Sequence, residues 1–176
     1  DCVIHLAGKN NDSSQTKIDS NSTYIDSNVY ETIEFAKRCS KYSVKRFIFV
    51  SSIKVNGDFT NGLSIFKEKD LPNPKGLYAL SKYKAELKLL NLMKNSDMEI
   101  VILRPPIIYG TGVKGYFGNL LSLIKKGIPL PFGSMVDNSR SLIYIENFLD
   151  LIRTCIEKPN AANNIFLCSD QYDLST

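Results

Sequence analysis

A chain of 176 residues, 43% hydrophobic and 23% charged, has the size and composition of one ordinary globular core. Its net charge of +4 is mild, and much of the excess comes from Lys37, Arg38, Lys41, Lys45 and Arg46, near the predicted end of a helix. Basic side chains at that position complement the helix dipole. Because neither aromatic residues nor a recognised motif accompany them, a nucleic-acid partner is not expected.

The chain contains Cys2, Cys39, Cys155 and Cys168, without a C-x-x-C pair, and a single histidine, His5. Scattered cysteines of this kind predict reduced thiols in a cytoplasmic protein and no zinc site. A lone histidine at a strand end argues against a metal centre and against Ser-His-Asp chemistry. We recognise no signal peptide and no apolar run long enough to span a bilayer, so no membrane partner is expected.

Hydrophobic periodicity predicts strands that alternate with helices along the chain. Glycines and prolines predict a long loop at residues 53–77, of a length that often carries function. In chain order, the predicted elements are a strand at 2–7, a helix at 20–40, a strand at 46–51, a helix at 78–94, a strand at 99–104, a helix at 118–126, a strand at 141–145, a helix at 146–157 and a strand at 164–168.

Alternating strands and helices with apolar runs such as Val101-Ile102-Leu103 predict a parallel sheet covered on both faces. Sites in such sheets form at the carboxyl ends of the strands. Three predicted strands end at Ala7-Gly8, Ser51-Ser52 and Pro105-Pro106. We therefore expect these three strand ends to meet in one crevice.

The helix at 78–94 carries the pair with the clearest chemistry. Tyr78 and Lys82 share one of its faces, and an ammonium beside a phenol favours the phenolate. Ser51 or Ser52 would add a hydroxyl from the preceding strand, and alternation of side chains lets only one of them face the crevice. This arrangement indicates hydride chemistry on an alcohol or ketone. The packed stripe of the same helix is predicted to be Leu80, Tyr83, Leu87 and Leu90.

Residues 110–115 read Gly-Thr-Gly-Val-Lys-Gly and match the spacing of a dinucleotide-binding fingerprint, with Asp137 near the distance of a ribose-binding acid. We reject that assignment because Pro105-Pro106 and residues 107–109 separate the glycines from the strand, and we predict a flexible loop on the substrate side. Arg140 is either a surface residue or a phosphate clamp, and Asn119 either a helix-start residue or a phosphate ligand.

Four segments together resemble the extended short-chain dehydrogenase/reductase superfamily, and within it the NAD-dependent epimerase/dehydratase family. They are residues 3–8 (VIHLAG), 49–57 (FVSSIKVNG), 78–82 (YALSK) and 103–110 (LRPPIIYG). Each motif is modest alone, but their combination and order are specific, and the resemblance covers essentially the whole chain.

The resemblance implies a catalytic group made of Tyr78 as base, Lys82 as its activator and Ser52 as the hydroxyl partner. It implies that NAD is bound by Leu6, Ala7, Gly8, Lys9, Asn28, Ser51, Tyr78, Lys82 and Pro105. It implies that a UDP-sugar is bound by Ser52, Lys54, Ile107, Asn119, Leu120, Phe132 and Arg140, with Arg140 on the diphosphate and Phe132 near the uracil.

The implied fold is α/β, a Rossmann-like doubly wound parallel sheet that lacks its first strands and carries a small substrate-binding subdomain. Residues 1–110 would be the remaining dinucleotide-binding part, 111–163 the main substrate-binding segment, and 164–176 a returning strand and the start of a C-terminal segment. The glycine-rich loop and the ribose-binding acid are expected before Asp1, and the last sugar-binding segment after Thr176. Without the fingerprint acid, NADP stays open as the cofactor.

The implied activity is that of a nucleotide-sugar 4-epimerase acting on a UDP-hexose or UDP-N-acetylhexosamine through a 4-keto intermediate, in surface-polysaccharide synthesis. Two alternatives stay open: a 4-ketoreductase that uses NAD(P), and an inactive fragment or binding module. Dehydration is disfavoured, because Ile53-Lys54 stand where the family's dehydratases carry an Asp-Glu pair. Family members often form dimers through paired helices, and the helices at 20–40 and 78–94 are the candidates.

Overall fold

The computed structural model describes residues 1–9, 25–60, 64–113, 115–128 and 138–175. These residues form two compact units, Asp1–Arg104 with Thr154–Leu167 and Pro105–Arg153 with Cys168–Thr176. The elements in chain order are β1 (Cys2–His5), a π-helical stretch (Asp26–Glu31) that continues into α1 (Thr32–Lys41), β2 (Arg46–Val50), a 3₁₀ turn (Ile53–Val55), α2 (Gly76–Met93), β3 (Glu99–Arg104), β4 (Ile107–Tyr109), α3 (Gly115–Lys125), β5 (Leu142–Tyr144), α4 (Ile145–Glu157), a 3₁₀ turn (Pro159–Ala161) and β6 (Ile165–Leu167).

The first unit is built on a parallel sheet whose described strands follow the order β1-β2-β3-β6. Phe47 pairs with Val3 on one side and with Ile100 on the other, which fixes the register of β1, β2 and β3. The parallel α/β architecture predicted from the sequence is confirmed. Since parallel strands need crossover connections, helices cover the sheet, and the strand ends that follow β1, β2 and β3 lie along one edge.

The core of the first unit lies between the sheet and helices α1 and α2. Alternate residues of β2 and β3 face these helices, and the residues between them are equally buried, as a sheet covered on both faces requires. The fully buried strand residues are Phe47, Ile48, Phe49, Ile100, Val101, Ile102 and Leu103. The helical side of the core is formed by Ile33, Ala36, Cys39, Ala85 and Leu89.

The predicted packed stripe of α2 is wrong for Leu80 and Leu87, whereas Leu90 packs against the core as predicted. Leu80 and Leu87 are 37% and 49% exposed, and the buried face of α2 is instead made of Ala79, Ser81, Lys82, Ala85, Glu86 and Leu89. Small alanines let this face approach the sheet closely, and its polar members find partners inside the protein. A pattern based only on large apolar residues therefore selects the wrong side of the helix.

Other differences concern short elements and element ends. Strand β4 was not predicted, because three residues are too few to show a periodicity. It pairs in parallel with β5 in the second unit, with Ile107 opposite Leu142. Helix α2 begins at Gly76 and α3 at Gly115, each earlier than predicted. Residues 20–24 of the predicted first helix lie outside the described residues.

Arg46 connects the start of β2 to the end of α4. Its Nε donates to Glu99 Oε2 at 2.7 Å, and its Nη1 donates to the carbonyl oxygens of Cys155, Ile156 and Lys158 at 2.6, 3.0 and 3.0 Å. The last carbonyls of a helix have no partner within the helix, so this buried guanidinium satisfies groups that would otherwise stay unpaired.

We expect Arg46→Met to lower the free energy of unfolding by about 2–3 kcal/mol, because several charge-assisted hydrogen bonds are lost at once. Urea denaturation of the full-length gene product measures this loss. Lys45→Met, at the exposed neighbouring position, is the control and should change stability by no more than about 0.5 kcal/mol. Equal effects of the two substitutions would show that the contacts of Arg46 stabilise nothing.

Three further findings on the described residues concern cysteines, metal ligands and membrane spans. Cys2, Cys39 and Cys155 are free thiols, and burial raises the pKa of each of them. Within the described ranges, no grouping of His, Cys, Asp and Glu could hold a metal ion. None of the helices in the same ranges is long and apolar enough to cross a membrane.

Candidate active site

Gly8, Asn28 and Lys82 meet at the carboxyl end of β1. A Cβ atom at Gly8 would lie 2.9 Å from Asn28 Oδ1 and 3.2 Å from Lys82 Nζ, so only glycine fits between these two side chains. The buried Asn28 amide accepts a hydrogen bond from Lys9 N at 2.7 Å and donates to Lys9 O at 3.0 Å. It also donates to Ser81 Oγ at 3.0 Å, which ties the loop after β1 to helix α2.

Lys82 places an ammonium group beside the ends of β1 and β2. Its Nζ donates to the Val50 carbonyl at 2.9 Å and lies 4.8 Å from the centroid of the Phe49 ring. Burial lowers the pKa of Lys82 to about 8, and the nearby Glu86 carboxylate opposes this effect. Tyr78 lies one turn earlier on α2 and is half-buried, so the phenol and the ammonium share one face of the helix.

Ser51 and Ser52 diverge, as the alternation of a strand requires. Ser51 Oγ donates to Glu86 Oε1 at 2.5 Å, so this hydroxyl is used in a buried hydrogen bond. Ser52 begins the 3₁₀ turn, and its Oγ accepts from Lys54 N at 3.3 Å. Among the described residues, no hydrogen bond uses the Ser52 hydroxyl proton, in contrast to that of Ser51.

A buried polar network, which the sequence reasoning missed, lies behind these residues. Arg104 Nε and Nη2 donate to the two carboxylate oxygens of Glu86 at 3.0 and 2.6 Å. Arg104 Nη1 donates to Asn56 Oδ1 at 2.9 Å, and Asn56 Nδ2 donates to Lys67 O at 3.0 Å. Glu86 is 1% and Arg104 2% exposed. Two features of the sequence could have indicated this network: a carboxylate one helical turn after Lys82, and an arginine at the end of an apolar strand.

The other residues predicted to bind the cofactor lie at strand ends. Leu6, Ala7, Gly8 and Lys9 are all exposed after β1, and the Leu6 side chain keeps 64% of its surface accessible. Pro105 directly follows β3 and is buried.

The residues predicted to bind the sugar nucleotide lie mostly in the second unit. Lys54 is exposed in the turn after β2, in the first unit. Ile107 is half-buried in β4, Asn119 is exposed and Leu120 half-buried on α3, and Arg140 is exposed. The Arg140 backbone forms an antiparallel bridge with Leu174. Phe132 lies outside the described residues, and all of these binding roles remain predictions.

The glycine-rich segment 110–115 follows β4 directly and leads into α3, so the reason given above for rejecting it is wrong. The segment nevertheless belongs to the second unit and not to the unit that contains the larger sheet. A Cβ atom at Gly110 would come 2.4 Å from Ile145 Cγ2, and the φ of +148° is one that other residues rarely adopt, so packing and backbone conformation explain this glycine. Asp137 lies outside the described residues.

Asp170 organises the second unit around the start of α4. Its carboxylate accepts from the Tyr109 hydroxyl at 3.0 Å, from Tyr144 N at 2.8 Å and from Asn147 Nδ2 at 2.8 Å. These bonds, that of Asn147 first, hold the pKa of Asp170 below its usual value, and the same carboxylate raises the pKa of Tyr109. The sequence reasoning did not identify this cluster.

We expect Lys82 to make the free energy of unfolding depend on pH. Its pKa is about 8 in the folded protein, and about 10.4 is usual for lysine in an unfolded chain. The unfolded state therefore binds more protons between these values, so stability rises with pH across this window, by about 3 kcal/mol. Denaturation of the full-length gene product at closely spaced pH values should show the rise in the wild type and not in Lys82→Met.

Lys84→Met, on the same helix, is the matched control and should keep the rise. An undiminished rise in Lys82→Met would show that Lys82 is not the titrating group.

A parallel sheet of this order, with a helix that carries a tyrosine and a lysine one turn apart, is typical of the Rossmann-like fold of the dehydrogenase/reductase class. The family model for the NAD dependent epimerase/dehydratase family matches residues 1–168, and the chain belongs to this family.

Individual relatives agree with this family. The chain is 48% identical to a UDP-glucose 4-epimerase of Vibrio cholerae, over 99% of this chain and 53% of that protein. It is 28% identical to N-acetyl-alpha-D-glucosaminyl-diphospho-ditrans,octacis-undecaprenol 4-epimerase of Escherichia coli O157:H7, over 99% of this chain and 51% of that protein. The chain thus spans about half the length of these relatives.

A solved structure shows the same fold with ligands. The UDP-glucuronic acid 4-epimerase of Bacillus cereus, in complex with UDP-glucuronic acid and NAD, superposes with a TM-score of 0.83 at 25% identity, over 99% of this chain and 55% of that one.

The residues of the first unit fit a dinucleotide at the end of β1. The backbone of residues 6–9 is exposed there, Asn28 and Lys82 pack against Gly8 too closely for a side chain at that position, and Lys82 supplies an ammonium group for hydroxyl oxygens.

Proposed function

We propose that the protein is an NAD-dependent nucleotide-sugar 4-epimerase that acts on a UDP-hexose or a UDP-N-acetylhexosamine. The observation that carries this proposal is the position of the Lys82 ammonium. It lies one helical turn after Tyr78, at the end of β2, and within 3.2 Å of the position a Cβ atom would take at Gly8, at the end of β1. The 48% identity to a UDP-glucose 4-epimerase supports the same activity.

In this proposal, a bound NAD would supply the acceptor, and later the donor, of a hydride at the sugar C4. Tyr78 as phenolate removes the proton of the C4 hydroxyl, so that the C–H electron pair leaves as hydride and a 4-keto sugar forms. Lys82 favours the phenolate by its charge, and the Ser52 hydroxyl donates a hydrogen bond to the sugar oxygen. After the keto sugar turns over, hydride returns to the opposite face, and Tyr78 gives the proton back.

The cofactor would lie along residues 6–9, with Asn28 fixing that loop through Lys9. Ser51 and Pro105 would contribute their strand-end backbone, since the Ser51 hydroxyl is bound to Glu86. NAD is favoured by the family, and the NAD bound to the Bacillus cereus enzyme agrees with it. NADP is the alternative that the experiment below distinguishes.

The sugar nucleotide would be bound through Ser52, Lys54, Ile107, Asn119, Leu120, Phe132 and Arg140. The exposed Arg140 guanidinium suits a diphosphate, which it can bind through two parallel hydrogen bonds. The 3₁₀ turn after Ser52 carries Ile53 and Lys54 and no carboxylate, so it offers no acid–base pair for dehydration. A role in surface-polysaccharide synthesis is supported by the Escherichia coli relative, whose name gives a lipid-linked sugar as substrate.

A homodimer through helices α1 and α2 also belongs to this proposal. Four large apolar side chains on or next to these helices are 37–55% exposed, which is more than a buried stripe would allow. They are Leu80 and Leu87 on α2, Phe35 on α1 and Tyr30 just before α1. A second copy of the chain would cover them. Sedimentation of the full-length gene product before and after Leu87→Glu tests this dimer.

We propose that the protein is located in the cytoplasm, where nucleotide sugars are made and free thiols persist.

The function is tested by incubating the full-length gene product with UDP-glucose or UDP-N-acetylglucosamine, with NAD and without a reductant. We expect interconversion with the C4 epimer and no net consumption of cofactor. A product that forms only with added NADPH, without isomerisation, would identify a 4-ketoreductase. A folded protein that binds neither cofactor in calorimetry would be the inactive form.

A further inference from the structure

Lys82 and Glu86 have the spacing of an ion pair but do not form one. Residues four apart on a helix are neighbours, and an ammonium and a carboxylate there usually attract each other into contact. Lys82 Nζ instead donates to the Val50 carbonyl at 2.9 Å. Among the described residues, Glu86 forms its ion pair with Arg104. A second partner therefore holds the carboxylate away from the lysine.

Arg104 is placed to be that partner. Its guanidinium binds both carboxylate oxygens of Glu86, at 3.0 and 2.6 Å, and Ser51 Oγ donates to the same carboxylate. Arg104 is the last residue of β3, and its remaining nitrogen, Nη1, donates to the buried Asn56. The guanidinium group is therefore also held in place by a residue other than Glu86. Two parallel hydrogen bonds set both the position and the orientation of a carboxylate, which a single lysine could not do.

We propose that Arg104 is a positioning residue, which by binding both oxygens of Glu86 prevents this carboxylate from capturing the Lys82 ammonium, so that the ammonium stays at the ends of β1 and β2. The catalytic consequence rests on the function proposed above, in which Lys82 activates Tyr78. The placement of Lys82 itself does not depend on that function.

The charges around Lys82 support the proposal. His5, at the end of β1, is near enough to be influenced by it, because burial first and then the Lys82 charge lower the pKa of His5. Glu86 approaches from the same helix, and Arg104 reaches the carboxylate from β3. Without Arg104, Glu86 would be the remaining charged group that could attract the ammonium. A buried carboxylate left without its partner would gain most by pairing with the nearest cation.

The test uses Arg104→Met and the double variant Glu86→Gln/Arg104→Met, in which no carboxylate remains to capture Lys82. Arg46→Met is the matched control, because it removes another buried arginine of the same sheet from a site near α4. The first measurement is an NMR titration of lysine Cε resonances in protein without cofactor or sugar, with Lys82→Met to assign the signal. The second is steady-state kinetics of the full-length gene product.

In Arg104→Met, we expect the Lys82 titration to move upward by about one pH unit or more, as a nearby carboxylate favours the ammonium form. We expect kcat to fall by about tenfold to a hundredfold, with a smaller change in KM, because the lysine is displaced from the base it activates. The double variant should return the titration to the wild-type value or below and recover much of kcat. Arg46→Met should leave the titration unchanged.

An unchanged Lys82 titration in folded Arg104→Met, or a double variant with the same kinetic defect as the single one, would overturn the proposal. If Arg104→Met does not fold, Arg104→Lys takes its place. It keeps the charge but frees one carboxylate oxygen, and a smaller shift in the same direction is expected. A shifted titration in a protein without epimerase activity would uphold the placement and reject the proposed function.

Discussion

Tyr78→Phe is expected to lower kcat of the full-length gene product by about 10³-fold, with little change in KM for the sugar nucleotide. The substitution removes one oxygen, the group that would take the proton of the C4 hydroxyl, and general-base contributions are of this order. Because the ring stays, the packing at the start of α2 is preserved. Steady-state kinetics with a UDP-sugar measure the loss, and cofactor binding by calorimetry shows whether the site is otherwise intact.

Tyr83→Phe is the matched control for this loss. Tyr83 lies on the same helix and is half-buried like Tyr78, but it has no role in the proposed chemistry. We expect its kcat to stay within about twofold of the wild type, as is usual away from the reacting groups. If the two substitutions reduce kcat equally, Tyr78 is not the base.

The second large effect is expected on stability. Glu86→Gln should lower the free energy of unfolding by about 3–5 kcal/mol, because it leaves the buried Arg104 guanidinium without its counter-charge. The pair is unusually sheltered, with the Arg104 side chain 3% and the Glu86 side chain 1% exposed. Urea denaturation of the full-length gene product, monitored by circular dichroism, measures the difference.

An exposed ion pair of the same chain provides the comparison. Glu34 binds Lys37 at 2.8 Å on the surface of α1, where both side chains are more than half exposed. The same chemical change there, Glu34→Gln, should cause no measurable loss of stability, since solvent screens the pair. If Glu86→Gln costs no more than Glu34→Gln, the network beneath the site does not stabilise the fold.

The parallel sheet was predictable because its inner strands leave few alternatives. A run such as Phe47-Ile48-Phe49 is apolar on both faces, which only a strand covered on both sides can bury. The serines that end the same strand marked the edge where a site would lie, and the spacing of Tyr78 and Lys82 placed both on one helix face. The family resemblance then supplied roles that neither pattern could give alone.

The network behind the site was not predictable from the same patterns. Glu86 and Arg104 look like surface charges in the sequence, and only their mutual contact allows them to be buried. The search for large apolar residues selected Leu80 and Leu87 as core residues, because it could not recognise a buried helix face that contains polar side chains; both leucines are exposed. Strand β4 was missed because its three residues pair with a segment more than thirty positions away, which no local pattern reveals.

The central claim is that one carbon of the sugar loses a hydride and receives it back, while Tyr78 carries the proton. The most direct measurement uses a UDP-sugar with deuterium at C4 and the full-length gene product, without an added reductant. The proposed mechanism predicts that the C4 epimer forms and keeps the deuterium, and that Tyr78→Phe slows its formation by about 10³-fold. An epimer that has lost its label to solvent, or a product that forms only with added NADPH, would contradict it.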